Sequence, residues 1–129
     1  MAKEPTDPMG FQVLIGLDLY ERGEGFSRGR LTVGDDHMNP HNVCHGGVVY
    51  SMADTTMGAA VYSRLDEAES CTTIEIKIVY IAAVRRGELE CESRVIHKGR
   101  TTAVLESDIR QGERLVAKAL GTFAILAPR

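Results

Sequence analysis

The chain has no tryptophan, and only three phenylalanines and four tyrosines among 129 residues. So few rings leave no obvious material for an aromatic cage. Its three cysteines, Cys44, Cys71 and Cys91, are an odd number without paired spacing. They exclude a disulfide framework and fit a reduced, cytoplasmic protein. No apolar run reaches membrane-spanning length, and the opening MAKEPTDPMG lacks the core of a signal peptide. A net charge of −3 and a pI near 5.8 lack the basic surplus of a nucleic-acid or anionic-membrane binder. Internal repeats, low-complexity tracts and linkers are absent too. What remains is 43% hydrophobic and 26% charged, the composition of one globular domain of ordinary size.

Residues 1–13 read as a polar, proline-containing arm in which MGFQVL forms a short helical lead-in. IGLDLYERGEGFSRGRLTV predicts two strands joined at Gly-Glu-Gly. GDDHMNPHN is loop, broken by Pro40 and two asparagines. From Gly46 to about Arg64, Val48, Val49, Met52, Ala53, Thr56, Met57, Ala59 and Ala60 recur at helical spacing. Small or apolar residues occupy most of that helix, so it is expected to be buried on nearly all sides. CTTIEIKIVYIAAV follows as a strand, with Ile74, Ile76, Ile78 and Tyr80 expected on one face. ELECESRVIH, TTAVLESDIR and RLVAKALGTFAIL predict three more strands, joined by the turns HKGR and RQGE that favour antiparallel hairpins. Two strands, one greasy helix and four strands are most economically packed as one antiparallel sheet curled around the helix. Such a sheet leaves an edge and part of the helix uncovered, so self-association is expected.

The stretch NPHNVCHGGVVYSMADTTMGAA concentrates the chemistry. Gly46 and Gly47 stand where the helix begins, where backbone N–H groups lack internal acceptors and carry the positive end of the dipole. Without side chains they let another molecule approach that backbone, a means of holding the oxyanion formed when a carbonyl is attacked. A plain tight junction is the blander reading of the same pair. Asp54 is the lone carboxylate of the helix, costly unless paired or employed. It is read either as a base or as a carboxylate satisfied by core hydroxyls. It lies roughly 10–11 Å along the axis from Gly47. One chain therefore does not bring Asp54 to a carbonyl held at its own helix start. Two helices packed antiparallel about a two-fold axis would, giving two shared sites per dimer.

These residues resemble the signature of hotdog-fold acyl-CoA thioesterases of the phenylacetic-acid-degradation type. The matching elements are an Asn six residues before the His, HGG itself, an Asp nine residues after that His, and the small residues that follow. TIEIKIVYIAAVRRGELECESRVIHKGRTTAVLESDI and RLVAKALGTFAIL are also similar to that family, so the resemblance spans about residues 12–126. It implies an α+β chain with one hotdog domain over 14–127, an antiparallel sheet wrapped around one long central helix. It implies hydrolysis of an acyl-CoA, with Asp54 as general base or as nucleophile and Gly46 donating to the thioester oxygen. Asn39 would assist at that carbonyl or place the water, and His45 would shape the loop or contact the thioester. Gly47 would complete the substrate cradle, and Lys98, Gly99 and Arg100 would meet the nucleotide end of CoA. Thr73 would position the water. Strand parity, however, puts it opposite the isoleucine row, so either the strand begins with a twist or bulge there, or Thr72 supplies the hydroxyl, or the helix-to-strand loop shifts the register by a residue. The resemblance also implies a homodimer as minimum unit, assembled into a homotetramer as a dimer of dimers, with no cofactor.

Thioester hydrolysis needs a placed water, a base and an oxyanion partner. Asp54, a hydroxyl and a helix N-terminus supply these without metal. His37, His41 and His45 share a spacing of four, but Pro40 and the glycines break the helix a metal stripe would need. Cys44 beside His45 reads as a small buried hydrophobe rather than a nucleophile. Met52 and Met57 read as core and Tyr62 likewise, with an acyl channel as the sharper alternative. VRRGE reads as a solvated turn, with a contact to an adenine-nucleotide phosphate as the sharper alternative. A non-catalytic acyl-thioester binder and a hotdog hydratase/dehydratase are the rival functions. Release of free thiol separates hydrolysis from both.

Overall fold

The structure, a computed structural model, describes residues 2–128. Helix α1 (Phe11–Ile15) leads into strands β1 (Asp18–Gly23) and β2 (Phe26–Val33). A 3-10 turn at Asp35–His37 precedes the long helix α2 (Gly46–Tyr62). Strands β3 (Ser70–Tyr80), β4 (Gly87–Lys98), β5 (Thr102–Gln111) and β6 (Arg114–Leu126) complete the chain. All six strands form one antiparallel sheet in the order β1-β2-β4-β5-β6-β3. The sheet curls about α2, as the element order predicts, and β1 and β3 are its edges.

The sheet covers one face of α2. Val49, Met52, Ala53, Thr56, Met57, Ala60 and Val61 are its buried residues. They meet Leu31, Val33, Leu89, Leu105, Ile109 and Phe123 in a single core, each large side chain contributing about 2 kcal/mol of burial. The expectation that the helix is enclosed on nearly all sides is corrected. Gly47 is exposed, while Ser51, Asp54, Thr55, Gly58 and Tyr62 are only half-buried. Apolar composition alone misled, because glycine and alanine tolerate either environment.

Four bulges adjust which side chains face the helix, one of them at Val116 of β6, where Ile109 pairs with Ala117 and Arg110 with Leu115. On β3, Thr73 pairs with Phe123 and Glu75 with Thr122, leaving Ile74 as the extra residue. Ile74 is therefore turned out and more than half exposed, a second correction, while Ile76 and Ile78 pack on the core and Tyr80, on the same face, reaches Gly46. On β1 the extra residue is Tyr20, and on β4 it is Ile96. Each bulge reverses the alternation beyond it.

The outer face of the sheet is a band of alternating charge. Arg28 bridges Glu21 and Glu92, and Arg94 reaches Glu92, Glu106 and Asp108. Lys118 donates to Asp108 at 2.6 Å. Burial pushes the Asp108 carboxyl up, but the hydrogen bonds and charges of Lys118 and Arg94 outweigh it and hold it below the usual aspartate range. A depressed native pKa stabilises above the unfolded value, and that contribution is lost as pH falls through the native one. Asp108→Asn should therefore lower stability at pH 7, by no more than about 1 kcal/mol for a pair this close to solvent. Melting curves from pH 7 downward should show the gap to the parent protein narrowing below about pH 4. A gap constant down to pH 2 would contradict the ion-pair origin.

Candidate active site

The loop before α2 is built to present the helix start. The Asn39 side-chain carbonyl accepts from His41 N–H at 2.8 Å, and its backbone N–H donates to Val43 O at 2.8 Å. Asn42 sits at φ 61, a left-handed conformation that asparagine tolerates better than most residues. Arg86 clamps the loop from outside, donating to Asp35 at 2.7 Å and to Asn42 at 2.9 Å. Arg85 and Arg86 of VRRGE are thus exposed, while Val84 is buried and Arg86 braces the loop. His45 then acts as the N-cap of α2: its Nδ1 accepts the Gly47 N–H at 2.8 Å. An imidazole here replaces the usual hydroxyl or carboxamide cap.

The glycine pair now has two separate reasons. A Cβ on Gly47 would lie 2.9 Å from His45 Nδ1, so only glycine lets the ring fold over the helix start. A Cβ on Gly46 would lie 3.1 Å from the Tyr80 ring, whose hydroxyl donates to Gly46 O at 2.7 Å. Of the two N–H groups, Gly47's is engaged by the cap. Gly46's has no acceptor among the described residues and stands beside a cavity of about 360 Å³ lined by Cys44, Tyr80 and Val84.

Asp54 projects from the uncovered face of α2, two turns further on. Its Oδ1 accepts a 2.6 Å hydrogen bond from Thr73 Oγ1. The bulge at Ile74 turns Thr73 inward, whereas Thr72 pairs with Ala124 in the opposite orientation. Asp54 and Thr73 line a cavity of about 590 Å³ with Leu19, Ala59, Tyr62 and Phe123, a volume in the range of small-molecule sites. Tyr62 thus lines this cavity rather than the closed core, while Met52 and Met57 are wholly core. Sequence reasoning missed Phe123, Cys71 and Arg22 on the same walls. Their inward orientation follows from strand register, which has no local signal.

Gly46 and Asp54 line different cavities. Lys98, Gly99 and Arg100 form the β4–β5 turn, closed by Gly99 N–H on Thr102 O at 2.8 Å. Lys98 pairs with Ala103, Ala103 with Phe123 and Phe123 with Thr73. Three strand spacings thus separate the turn from the Asp54 partner, roughly 14–15 Å. The turn lies at the Asp54 end of the sheet, away from Gly46 of the same chain.

The remaining candidates have structural employment. His37 accepts Gly34 N–H at Nδ1 and meets Ile15 O through Nε2. Among the described residues no group of three metal-ligating side chains forms. Cys44 is buried, and burial pushes its thiol up to about 11, which disfavours the thiolate a nucleophile needs.

A family model described as the thioesterase superfamily matches residues 41–118. Acyl-coenzyme A thioesterase PaaI of Escherichia coli K12 is 32% identical over 80% of this chain and 73% of that protein. The structure of conserved protein PA5202 from Pseudomonas aeruginosa is 42% identical, with TM-score 0.89 over 92% of this chain and 95% of that one. Thioesterase HI1161 from Haemophilus influenzae is 25% identical, with TM-score 0.85 over 90% and 82% of the two chains. The chain belongs to the thioesterase superfamily, as a hotdog protein of the phenylacetic-acid-degradation type. It is a thioester hydrolase.

Proposed function

We propose that the protein hydrolyses an acyl-CoA thioester to the free acid and CoA, in sites shared between two chains. The observation that carries this reading is the Asp54 carboxylate, held at one oxygen by Thr73 on the wall of an acyl-sized cavity. With Oδ1 occupied, Oδ2 is left to accept a proton from water. The water oxygen attacks the thioester carbon as its proton passes to Asp54. The carbonyl oxygen gains the negative charge and is met by the Gly46 N–H at the positive end of α2. Collapse of this intermediate breaks the carbon–sulfur bond, and the proton on Asp54 passes to the departing thiolate. Asn39 has its amide N–H₂ available for the same oxygen or for the water.

The donor is Gly46 of a partner copy, because the two groups of one chain lie about two helical turns apart and open into different cavities. The exposed Gly47 and the half-buried Ser51, Asp54, Gly58 and Tyr62 form a stripe that leaves room for a second helix. A homodimer is therefore the minimum unit, and two of them form a tetramer in the cytoplasm. The deciding experiment is thiol release from a panel of aryl and medium-chain fatty acyl-CoAs, with Asp54→Asn as control. Saturable binding without release of thiol would refute hydrolysis.

The HKGR turn takes the nucleotide end. The side chains of Lys98 and Arg100 make no hydrogen bond or ion pair among the described residues. They are free to meet phosphate. Replacing both by alanine should raise KM for acyl-CoA on the order of tenfold, with a smaller change in kcat. An N-acetylcysteamine thioester of the same acid should lose much less. Equal losses on the two substrates would rule out a nucleotide contact.

A further inference from the structure

The Asp54 cavity is lined by a half-buried cation that the hydrolytic steps do not use. Arg22 lines its wall. The bulge at Tyr20 puts it there: Leu19 pairs with Gly29, Glu21 with Arg28 and Arg22 with Ser27. Ser27 faces the helix and is fully buried, with its hydroxyl on Thr56 O. Strict alternation from Leu19 would have sent Arg22 to the outer, charged face of the sheet. Bulges near sites commonly re-aim a side chain in this way. The bulge at Ile74 does the same for Thr73, so both edge strands turn a polar group onto one cavity.

The guanidinium is poorly satisfied there. Nη1 donates to Lys3 O at 2.6 Å, while Nε and Nη2 are buried with no hydrogen-bond partner. Arg22 also has no ion pair among the described residues. Of the carboxylates lining the cavity, Asp18 pairs with Arg30 at 3.2 Å and Asp54 is held by Thr73, while Asp7 lies on the exposed arm and makes no ion pair with Arg22. A buried charge without a counter-charge is destabilising unless a ligand completes it. The covering layer is light. Lys3 anchors the N-terminal arm through the Asp66, Glu67 and Glu69 carbonyls at the exit of α2. Between Lys3 and Gly10 the arm makes no hydrogen bond to the other described residues. Residues 5–8 lie exposed across the cavity and can yield.

We infer that Arg22 is a specificity residue, and that the acyl chain this enzyme takes ends in a carboxylate which the guanidinium receives. This rests on the acyl-CoA hydrolase reading and adds the substrate class. Leu19, Ala59, Tyr62 and Phe123 give the methylene chain apolar walls between Asp54, where the thioester reacts, and the distal charge. A guanidinium whose Nε and Nη2 are out of solvent suits the acyl end better than the CoA phosphates, which reach solvent. A carboxylate also supplies the two acceptors that Nε and Nη2 lack, in fork geometry.

The test uses CoA thioesters in pairs of equal length from five to eight carbons, each a monocarboxylic acid against the corresponding dicarboxylic acid. Thiol release from any of them reports on hydrolysis itself. Only the ratio within a pair reports on Arg22, and equilibrium binding of the same pairs gives that ratio even without turnover. At the best length the wild type should favour the dicarboxylic member by about tenfold or more in kcat/KM. Arg22→Met should bring the ratio near one through loss on the dicarboxylic member, and Arg22→Lys should keep part of it. The preference should persist in N-acetylcysteamine thioesters and after removal of residues 2–8. A wild type indifferent at every length would overturn the inference without any variant. So would equal losses on both members in Arg22→Met, which would mark a strut for the arm. A preference that vanishes on the N-acetylcysteamine esters would show that Arg22 reads CoA instead.

Discussion

Asp54→Asn should lower kcat by about 100-fold or more, the usual scale of a general base, while the fold survives. The substitution keeps size and shape and leaves an amide oxygen to accept from Thr73, so the 2.6 Å hydrogen bond has a replacement. What disappears is basicity at the second oxygen, where the attacking water would leave its proton. KM should change little, since the acyl walls and the HKGR turn are untouched. Single-substrate kinetics with circular dichroism as the folding control settles it. A folded variant with kcat near wild type would remove Asp54 from the mechanism. A general base and a nucleophile part company in single turnover, because only a nucleophile forms an acyl-enzyme whose hydrolysis can be trapped.

Mixing two inactive variants should restore about a quarter of wild-type activity if each site draws on two chains. One variant is Asp54→Asn and the other Gly46→Pro. Proline removes the proposed N–H donor at a helix start, where it is tolerated. His45 lies at φ −61 and ψ 133, the extended conformation a residue before proline requires. The Tyr80 ring, 3.1 Å from the added Cβ, is half exposed and can shift. In a random mixture about half the dimers are hybrids, each with one site carrying both defects and one intact. If both groups came from one chain, every site would keep a defect and mixing would restore nothing. Subunit exchange verified by mass, with both variants folded and dimeric and no activity recovered, would refute the shared site.

Periodicity located the elements. The repeat from Val48 to Ala60 marks α2, and turns at Gly-Glu-Gly, HKGR and RQGE separate strands within a few residues of where they lie. These signals are local, set by side-chain spacing and by glycine in turns, so they survive without tertiary information. The HGG-to-Asp54 motif is local in the same sense. It sits on one helix, whose geometry fixes the separation that made a two-chain site the expectation.

Register and partner choice were decided elsewhere. Thr73 rather than Thr72 reaches Asp54 because Ile74 bulges out of β3, and Arg22 enters the cavity because Tyr20 bulges out of β1. A strand's alternation reads the same with or without an extra residue, so only pairing with the neighbouring strand fixes which side chains face in. The His45 cap on Gly47 and the uncovered face of α2 are likewise tertiary outcomes. The sequence by itself determined one antiparallel sheet around one helix bearing HGG and a carboxylate. The folded sheet decided which hydroxyl holds that carboxylate, which glycine N–H stays free and which cation waits at the far wall, because each depends on contacts between residues distant in the chain.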